Sequence, residues 1–190
     1  MRIQIIHNYF YPDVSAVSQL VSDLAFYLSS EGMEVSVICS RGKYTGGNRT
    51  NLKKEEVVQG VKIKRVYSPS FGKKSLLVRL LDYISFTIFS SIQALLSRKV
   101  DIVILLTNPP LFSLLGVLLK IVKNEKFVYI VEDVYPDIAI QYGILKDKSI
   151  LAQVLYKLSD YTFRNADKVV DRKIQLTPYR HLKLTPLERL

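Results

Sequence analysis

The chain has 190 residues, of which 48% are hydrophobic and 23% charged; this suits one well-cored domain and excludes wholesale disorder. The net charge of +10 is uneven, because residues 1–100 hold 14 Lys/Arg against 7 Asp/Glu and residues 171–190 hold 5 against 2. A basic face of this kind suits phosphorylated ligands, an anionic membrane surface or nucleic acid.

The single cysteine, Cys39, ends an apolar run and excludes an internal disulfide, which fits a reducing compartment. The N-terminal residues lead directly into a strand pattern and lack the layout of a signal peptide. We therefore expect a cytoplasmic protein. With two histidines far apart and one cysteine, no zinc or iron site is expected.

The first predicted unit is a strand, a helix and a second strand. Residues 2–7 predict the first strand, and a loop over 7–13 follows it. Ser15 is the expected N-cap of a helix with apolar residues at helical spacing, and Gly32 is its expected C′ residue. Residues 35–39 predict the second strand, so these elements form a βαβ unit.

A basic region and a long apolar helix come next. Residues 41–53 predict a basic loop, while 55–58 and 61–66 predict two short strands joined by a turn. Residues 75–97 predict one long helix that is apolar over more than one face. Such a helix either packs between the sheet and a neighbour or lies on a membrane with its cationic ends at the headgroups.

Strands and helices then alternate. Residues 101–106 predict a strand that ends at Thr107-Asn108-Pro109-Pro110, and Pro110 suits the first turn of a helix over 111–122. The apolar run 127–131 predicts a strand that is buried on both faces of a parallel sheet. The remaining predicted elements are a short helix after Pro136, a helix over 149–164 and a strand from 167.

Three acidic residues follow the strand 127–131: Glu132, Asp133 and, after Tyr135-Pro136, Asp137. Ligands of open α/β sheets bind beyond the carboxyl ends of the strands. We therefore expect these acids to lie where the chemistry takes place.

The order of elements predicts an α/β fold with a doubly wound, Rossmann-like parallel sheet flanked by helices, in a single domain over residues 1–170. In a sheet of order 3-2-1-4-5 the strands at 2–7, 101–106 and 126–131 are neighbours, so the segments that follow them meet at one edge. That edge is the predicted site, formed by Asn8, Tyr11, Pro12, Asp13, Asn108, Pro109, Glu132, Tyr135 and Asp137.

Residues 171–190 differ from the rest of the chain. They are basic, lack a sustained period and repeat Leu-Thr-Pro at 176–178 and 184–186. The last predicted strand runs straight into them. We interpret this segment as an irregular basic tail that arises from truncation or from a reading-frame shift.

Five segments, in this order, resemble the family 4 glycosyltransferases, and within that family the branch that builds capsule, O-antigen and other surface polysaccharides. The resemblance covers about residues 1–170 and corresponds to the N-terminal, acceptor-binding half of a two-domain GT-B enzyme. The segments are Asn8-Tyr9-Phe10-Tyr11-Pro12-Asp13, Gly32-Met33-Glu34-Val35-Ser36-Val37-Ile38, Asp101-Ile102-Val103-Ile104 with Asn108-Pro109-Pro110-Leu111, Glu132-Asp133-Val134-Tyr135-Pro136-Asp137 and Asn165-Ala166-Asp167-Lys168-Val169-Val170.

The resemblance implies transfer of a sugar from a nucleotide-sugar donor to an acceptor, often a lipid-linked glycan, with retained anomeric configuration and with no metal or other cofactor. It implies that Asp133, in the family's Asp-(Leu/Val)-Tyr-Pro motif, orients the acceptor or the reacting sugar. It also implies that the loop from Asn8 to Ala16 approaches the acceptor and the donor phosphates. Ser15-Ala16 stands where the family often has glycines.

The same resemblance sets expectations about partners. In the family, nucleotide recognition and the paired glutamates of an E-x7-E motif belong to a second domain. The 190 residues contain no such domain, so we expect the chain to be inactive without a donor-binding domain, supplied for instance by a separate subunit. An anionic membrane surface is a further expected partner, with the protein peripheral on the inner face of the cytoplasmic membrane.

Two other function classes were compared with this one. A nucleotide-cofactor oxidoreductase predicts G-x-G-x-x-G after the first strand, and residues 7–17 contain no glycine. A non-catalytic α/β domain that binds a membrane surface or a protein partner stays open, whereas nucleic acid is not an expected partner. The basic face of that domain would consist of Arg41, Lys43, Arg49, Lys53, Lys54, Lys62, Lys64 and Arg65.

Overall fold

The computed structural model describes residues 1–42, 52–69, 76–109, 111–132 and 135–171. Most of the predicted loop 41–53 lies outside these residues, as do Pro110, Asp133 and the tail beyond Asp171.

Strands and helices alternate through the described chain. The strands are β1 (Arg2–Ile6), β2 (Glu34–Ser40), β3 (Glu55–Val58), β4 (Val61–Val66), β5 (Ile102–Leu106), β6 (Lys126–Val131) and β7 (Lys168–Asp171). The helices are α1 (Ala16–Ser30), α2 (Leu76–Leu96), α3 (Leu114–Lys123), α4 (Asp137–Gln141) and α5 (Ile150–Asn165).

The strands form one sheet of order β3-β4-β2-β1-β5-β6-β7. All neighbouring strands pair in parallel except β3 and β4, which form an antiparallel hairpin with β3 as the outermost strand. Gln59 and Gly60 join these two strands with φ values of +48° and +80°, the left-handed backbone that tight hairpin turns require. The predicted doubly wound α/β fold is confirmed.

Helix α1 begins and ends where the sequence predicts. The Ser15 hydroxyl accepts a hydrogen bond from Ser18 N at 3.3 Å, so Ser15 is the N-cap. Gly32 follows the C-terminus with φ +80°, a left-handed conformation that a side chain rarely tolerates.

The core lies on both faces of the sheet. On one face α1 packs on β1, β2 and β4 through residues such as Ile5, Val21 and Val37. On the other face α2, α3 and α5 cover the sheet, and Phe86, Phe112 and other large apolar side chains are fully buried there. Burial of this apolar surface provides the main driving force for folding.

Two predictions about the second half are wrong in detail. Strand β6 is not buried on both faces. Val128 and Ile130 are only half-buried, because they lie on the same face of the sheet as α1, and α1 covers β2 and β4 rather than β6. Helix α3 begins at Leu114 rather than at 111. The backbone turns first, with φ +62° at Leu111 and a hydrogen bond from Leu114 N to Leu111 O.

Helix α2 is buried on one side. Phe86, Ser90 and Ala94 face the sheet and are fully buried. The outer side carries large apolar side chains that are 38–79% exposed: Leu81, Ile84, Ile88, Phe89, Ile92, Leu95 and Leu96. Within the described ranges, none of the helices combines the length and the apolar character needed to cross a bilayer.

Candidate functional site

The carboxyl ends of β1, β5 and β6 lie side by side. Ile6 pairs with Leu105, and Leu105 pairs with Tyr129. The segments after these three strands therefore meet at one edge of the sheet, as the sequence predicts. Each of them contains a cis X-Pro bond: Tyr11-Pro12, Asn108-Pro109 and Tyr135-Pro136.

The loop after β1 is held mainly by its own polar groups. Asp13 is buried, and its Oδ1 accepts from Ser15 N at 2.9 Å and from Ser18 Oγ at 3.3 Å. With Ser15 also capping α1, the amide and the hydroxyl of Ser15 are both engaged inside the protein. These contacts give Asp13 and Ser15 a structural role, and the predicted approach of this loop to phosphates stays a prediction.

Two consecutive residues after β1 carry buried polar atoms that have no hydrogen-bond partner within the part of the chain that the structure describes. They are His7 Nε2 and Asn8 Oδ1, in side chains that are 1% and 4% exposed. His7 Nδ1 lies 2.8 Å from Tyr9 O and 3.2 Å from Tyr9 N, so it donates to the carbonyl in one tautomer and accepts from the amide in the other. Burial lowers the pKa of His7, so the imidazole is neutral at pH 7.

Thr107 joins the ends of β5 and β6. Its hydroxyl donates to Ile130 O at 3.3 Å and accepts from Glu132 N at 2.9 Å. Burial raises the pKa of Tyr129, while hydrogen bonds with Ser113 and Thr107 act in the opposite direction. A polar cluster of Thr107, Ser113 and Tyr129 therefore fixes this corner of the edge.

The segment after β6 is fastened to α5. Ser159 Oγ donates to Tyr135 O at 2.7 Å, and the Tyr156 hydroxyl donates to Asp137 Oδ1 at 2.7 Å. Burial, together with the hydrogen bond and the charge of Asp137, raises the pKa of Tyr156 to about 12. Asp137 is thus an exposed carboxylate in a fixed position, at the first residue of α4.

A small cavity lies between this segment and α5. Its volume is about 10 Å³, the space that one water molecule occupies. It is lined by Thr107, Leu111, Ser113, Tyr129, Tyr135, Ser159 and Phe163. The cavity is too small for a sugar.

The predicted site residues fall into three groups. The segments after β1, β5 and β6 bring Asn8, Pro12, Asp13, Asn108, Pro109, Glu132, Tyr135 and Asp137 to the same edge of the sheet, with Ser15 and Ala16 at the start of α1. Tyr11 lies further out, with its ring 5.9 Å from the ring of Phe26 on α1. Asp133, the predicted catalytic residue, lies outside the described residues.

The predicted position of Arg65 is wrong. It was assigned to an exposed basic face, yet its side chain is 1% exposed. Its guanidinium contacts Glu56 Oε1 at 2.6 Å and donates to Tyr11 O at 3.0 Å and Lys53 O at 3.1 Å. The signal was the alternation Val61, Ile63, Arg65 along β4, which places all three on one face of the sheet.

The described residues contain no group of three or more His, Cys, Asp or Glu side chains that could hold a metal ion. The expectation that no metal or other cofactor takes part stays a prediction.

The comparisons with known proteins point in one direction. No protein-family model matches the sequence. A stretch of 74 residues, 39% of this chain, is 34% identical to "Probable glycosyltransferase WbjE" of Pseudomonas aeruginosa. The fold is similar to sucrose-phosphate synthase from Thermosynechococcus elongatus, with a TM-score of 0.61 and 12% identity over 88% of this chain. It resembles a GT-B glycosyltransferase domain.

A second similar structure is the catalytic domain of Starch Synthase IV from Arabidopsis thaliana bound to ADP and acarbose, with a TM-score of 0.50 and 11% identity over 70% of this chain. The chain spans 18% of the length of WbjE, 41% of that of the sucrose-phosphate synthase and 34% of that of the starch synthase domain. The similarities therefore concern part of each of these proteins.

Proposed function

We propose that this chain is the acceptor-binding part of a retaining family 4 glycosyltransferase. It takes part in the transfer of a sugar from a nucleotide-sugar to a lipid-linked glycan acceptor in surface-polysaccharide synthesis. The observation that carries the proposal is the edge where β1, β5 and β6 end, in a fold that resembles a GT-B domain. The local similarity to a probable glycosyltransferase supports the same class.

The proposed roles follow from the position of each residue. Asp133 follows Glu132 directly and would accept a hydrogen bond from the acceptor hydroxyl or support positive charge on the reacting sugar. Asn8 and Asp137 would line the acceptor side of this edge. The donor nucleotide would bind to a part of the enzyme that these residues do not cover, since the chain spans less than half of each relative.

The test is the transfer of radiolabel from UDP-, GDP- and dTDP-sugars to the lipid extract of the source cells. The protein is used as expressed from its own locus. With the donor-binding part present, we expect one donor to label the lipid fraction and Asp133→Asn to lower kcat by about 100-fold or more. We expect no transfer from the 190-residue chain alone. Asp23→Asn is the matched control, because Asp23 is an exposed carboxylate on α1.

Absence of transfer from every donor, with the donor-binding part present, would count against the proposal, and transfer by the 190-residue chain alone would refute its dependence on that part. Equal rates for Asp133→Asn and Asp23→Asn would remove the role assigned to Asp133. The anomeric configuration of the product, determined by NMR, tests the proposed retaining mechanism.

A second candidate function is that of a peripheral domain on an anionic membrane surface. The observation that favours it is the exposed apolar side of α2, where Ile84, Ile88 and Ile92 lie four residues apart. Arg98 and Lys99 follow the helix and are exposed. Sedimentation with phosphatidylglycerol vesicles but not with phosphatidylcholine vesicles, abolished in Ile88→Ser/Ile92→Ser, is the expected result. Equal sedimentation of that double variant would refute it.

A further inference from the structure

A pocket outside the edge described above lies at the carboxyl ends of β2 and β4. Its volume is about 340 Å³, within the range of small-molecule sites. It is lined by Arg41, Lys54, Lys64, Arg65, Val66, Tyr67, Phe89, Ile92 and Gln93. The hydrogen bond from Arg41 N to Val66 O at 3.3 Å holds the two strand ends together beneath it.

The charge of this pocket suits an anion. Its described lining contains four cations and no acid. Two of these cations are neutralised nearby, because Lys64 pairs with Glu55 at 2.9 Å and Arg65 pairs with Glu56 at 2.6 Å. Among the described residues, Arg41 and Lys54 form no ion pair, although the charge of Lys54 also acts on Glu55. These two cations remain for a ligand.

Arg41 carries a more specific signal. Its Nε is buried and has no hydrogen-bond partner among the described residues. A buried donor without an acceptor is costly to a protein, and an anionic oxygen in the pocket would remove that cost through a charge-assisted hydrogen bond.

The other side of the pocket is apolar. Tyr67 and Phe89 meet edge to face with ring centroids 5.8 Å apart, and Ile92 lies one turn beyond Phe89 on α2. Both Phe89 and Ile92 also belong to the exposed apolar side of α2, so the pocket opens onto that surface. A ligand that fills both sides has an anionic head and an apolar tail.

We propose that this pocket binds a lipid phosphate, with Arg41 and Lys54 on the phosphate oxygens and with Tyr67, Phe89 and Ile92 against the first carbons of the chain. Both the pocket and the predicted site lie at the carboxyl ends of the strands. Arg65 lines the pocket and donates a hydrogen bond to Tyr11 O in the loop after β1, so it connects the two. That the bound lipid carries the acceptor glycan rests on the proposed function. Binding of the lipid phosphate itself is independent of the proposed function.

The test is calorimetric titration of the full chain with three probes, in the absence of any sugar donor. The probes are dihexanoyl phosphatidic acid below its micelle concentration, dihexanoylglycerol, which has the same chains without the phosphate, and inorganic phosphate. We expect the phosphatidic acid to bind at least about tenfold more tightly than either of the other two, because it alone contacts both sides of the pocket.

Three variants locate the site. Arg41→Gln and Lys54→Gln are each expected to weaken binding of the phosphatidic acid by about tenfold, the loss of one charge-assisted hydrogen bond. Lys62→Gln is the matched control, since it also removes one positive charge from β4. The Lys62 side chain does not line this pocket and pairs with Glu34 at 2.7 Å. Lys54 is exposed, so its variant keeps the test valid if Arg41→Gln fails to fold.

Three outcomes would overturn the proposal. Equal affinity for inorganic phosphate would show an anion site without a lipid component, and equal affinity for dihexanoylglycerol would show an apolar surface without a phosphate site. Equal losses in Lys54→Gln and Lys62→Gln would show unspecific attraction. A failure here leaves the sugar-transfer result unaffected, and a failure of sugar transfer leaves lipid binding to be judged by these titrations alone.

Discussion

Arg65 allows the most direct test of how the edge of the sheet is held together. The guanidinium lies inside the protein and makes three contacts: with the carboxylate of Glu56 and with the carbonyl oxygens of Tyr11 and Lys53. Replacement by Met preserves much of the side-chain volume and removes all three. The loop after β1 and the chain before β3 then lose their common anchor.

The magnitude follows from burial. Removing one partner of a buried ion pair costs about 3–5 kcal/mol, because the remaining charge and the carbonyls lose their donors. Glu56 is 23% exposed, so water can solvate its carboxylate in part and the lower end, about 3 kcal/mol, is the expected loss. That is a large share of the roughly 5–15 kcal/mol by which a domain is stable.

Urea unfolding followed by far-UV circular dichroism measures the loss, since the chain has no tryptophan. The matched control is Lys64→Met, one residue earlier on β4, whose pair with Glu55 is exposed on both sides and is expected to contribute little. Arg65→Met/Glu56→Met should recover part of the loss, because an apolar pair replaces the unpaired carboxylate. If Arg65→Met costs no more than Lys64→Met, the anchoring role is refuted.

Three further predictions concern other parts of the fold. Gly116→Ala should lower the free energy of unfolding by about 1–3 kcal/mol, because a Cβ there would lie 2.4 Å from the ring of Phe127; an unchanged urea midpoint would contradict this packing. Burial acts to raise the pKa of Asp167, but hydrogen bonds from Lys120 and Phe127 N outweigh it and lower that pKa. The stability that Asp167 adds over Asp167→Asn should therefore be complete above the ordinary value of 3.8 and vanish as the pH falls through the folded-state pKa, which Tm measured against pH will check. Burial raises the pKa of Cys39 to about 12, so iodoacetamide at pH 8 should modify it only after unfolding; labelling at the rate of a free thiol would disprove its burial.

The order of strands and helices was predictable because each element carries its own period or cap. Ser15 and Gly32 mark the ends of α1 by local chemistry, and the strand order follows from the general rule for doubly wound sheets. The start of α3 was not predictable in this way. Leu111 adopts a left-handed backbone that its residue type does not favour, so only the surrounding structure specifies that turn.

Arg65 shows a different limit of sequence reasoning. As one of the basic residues between 41 and 65, Arg65 was grouped with solvated lysines. Along β4, however, it shares a face with Val61 and Ile63 and is buried. The contact that justifies burial joins residues 54 positions apart, Arg65 and Tyr11. Local sequence patterns do not contain such a contact.

Buried polar atoms without a hydrogen-bond partner are distributed unequally between the carboxyl and the amino ends of the strands. Among the described residues, five buried side-chain atoms have no hydrogen-bond partner, and three of them follow the carboxyl ends of β1 and β2: His7 Nε2, Asn8 Oδ1 and Arg41 Nε. Each such atom costs the fold about 1–3 kcal/mol unless a ligand or water supplies the missing partner. At the opposite edge, before β6, Glu125 is also buried, but its other oxygen accepts from Val100 N and Lys123 Nζ at 3.0 Å each. The fifth atom, Gln4 Oε1, lies within β1. Three of the five thus follow the carboxyl ends of two neighbouring strands, beside the predicted site, where a ligand or water would supply the missing hydrogen bonds.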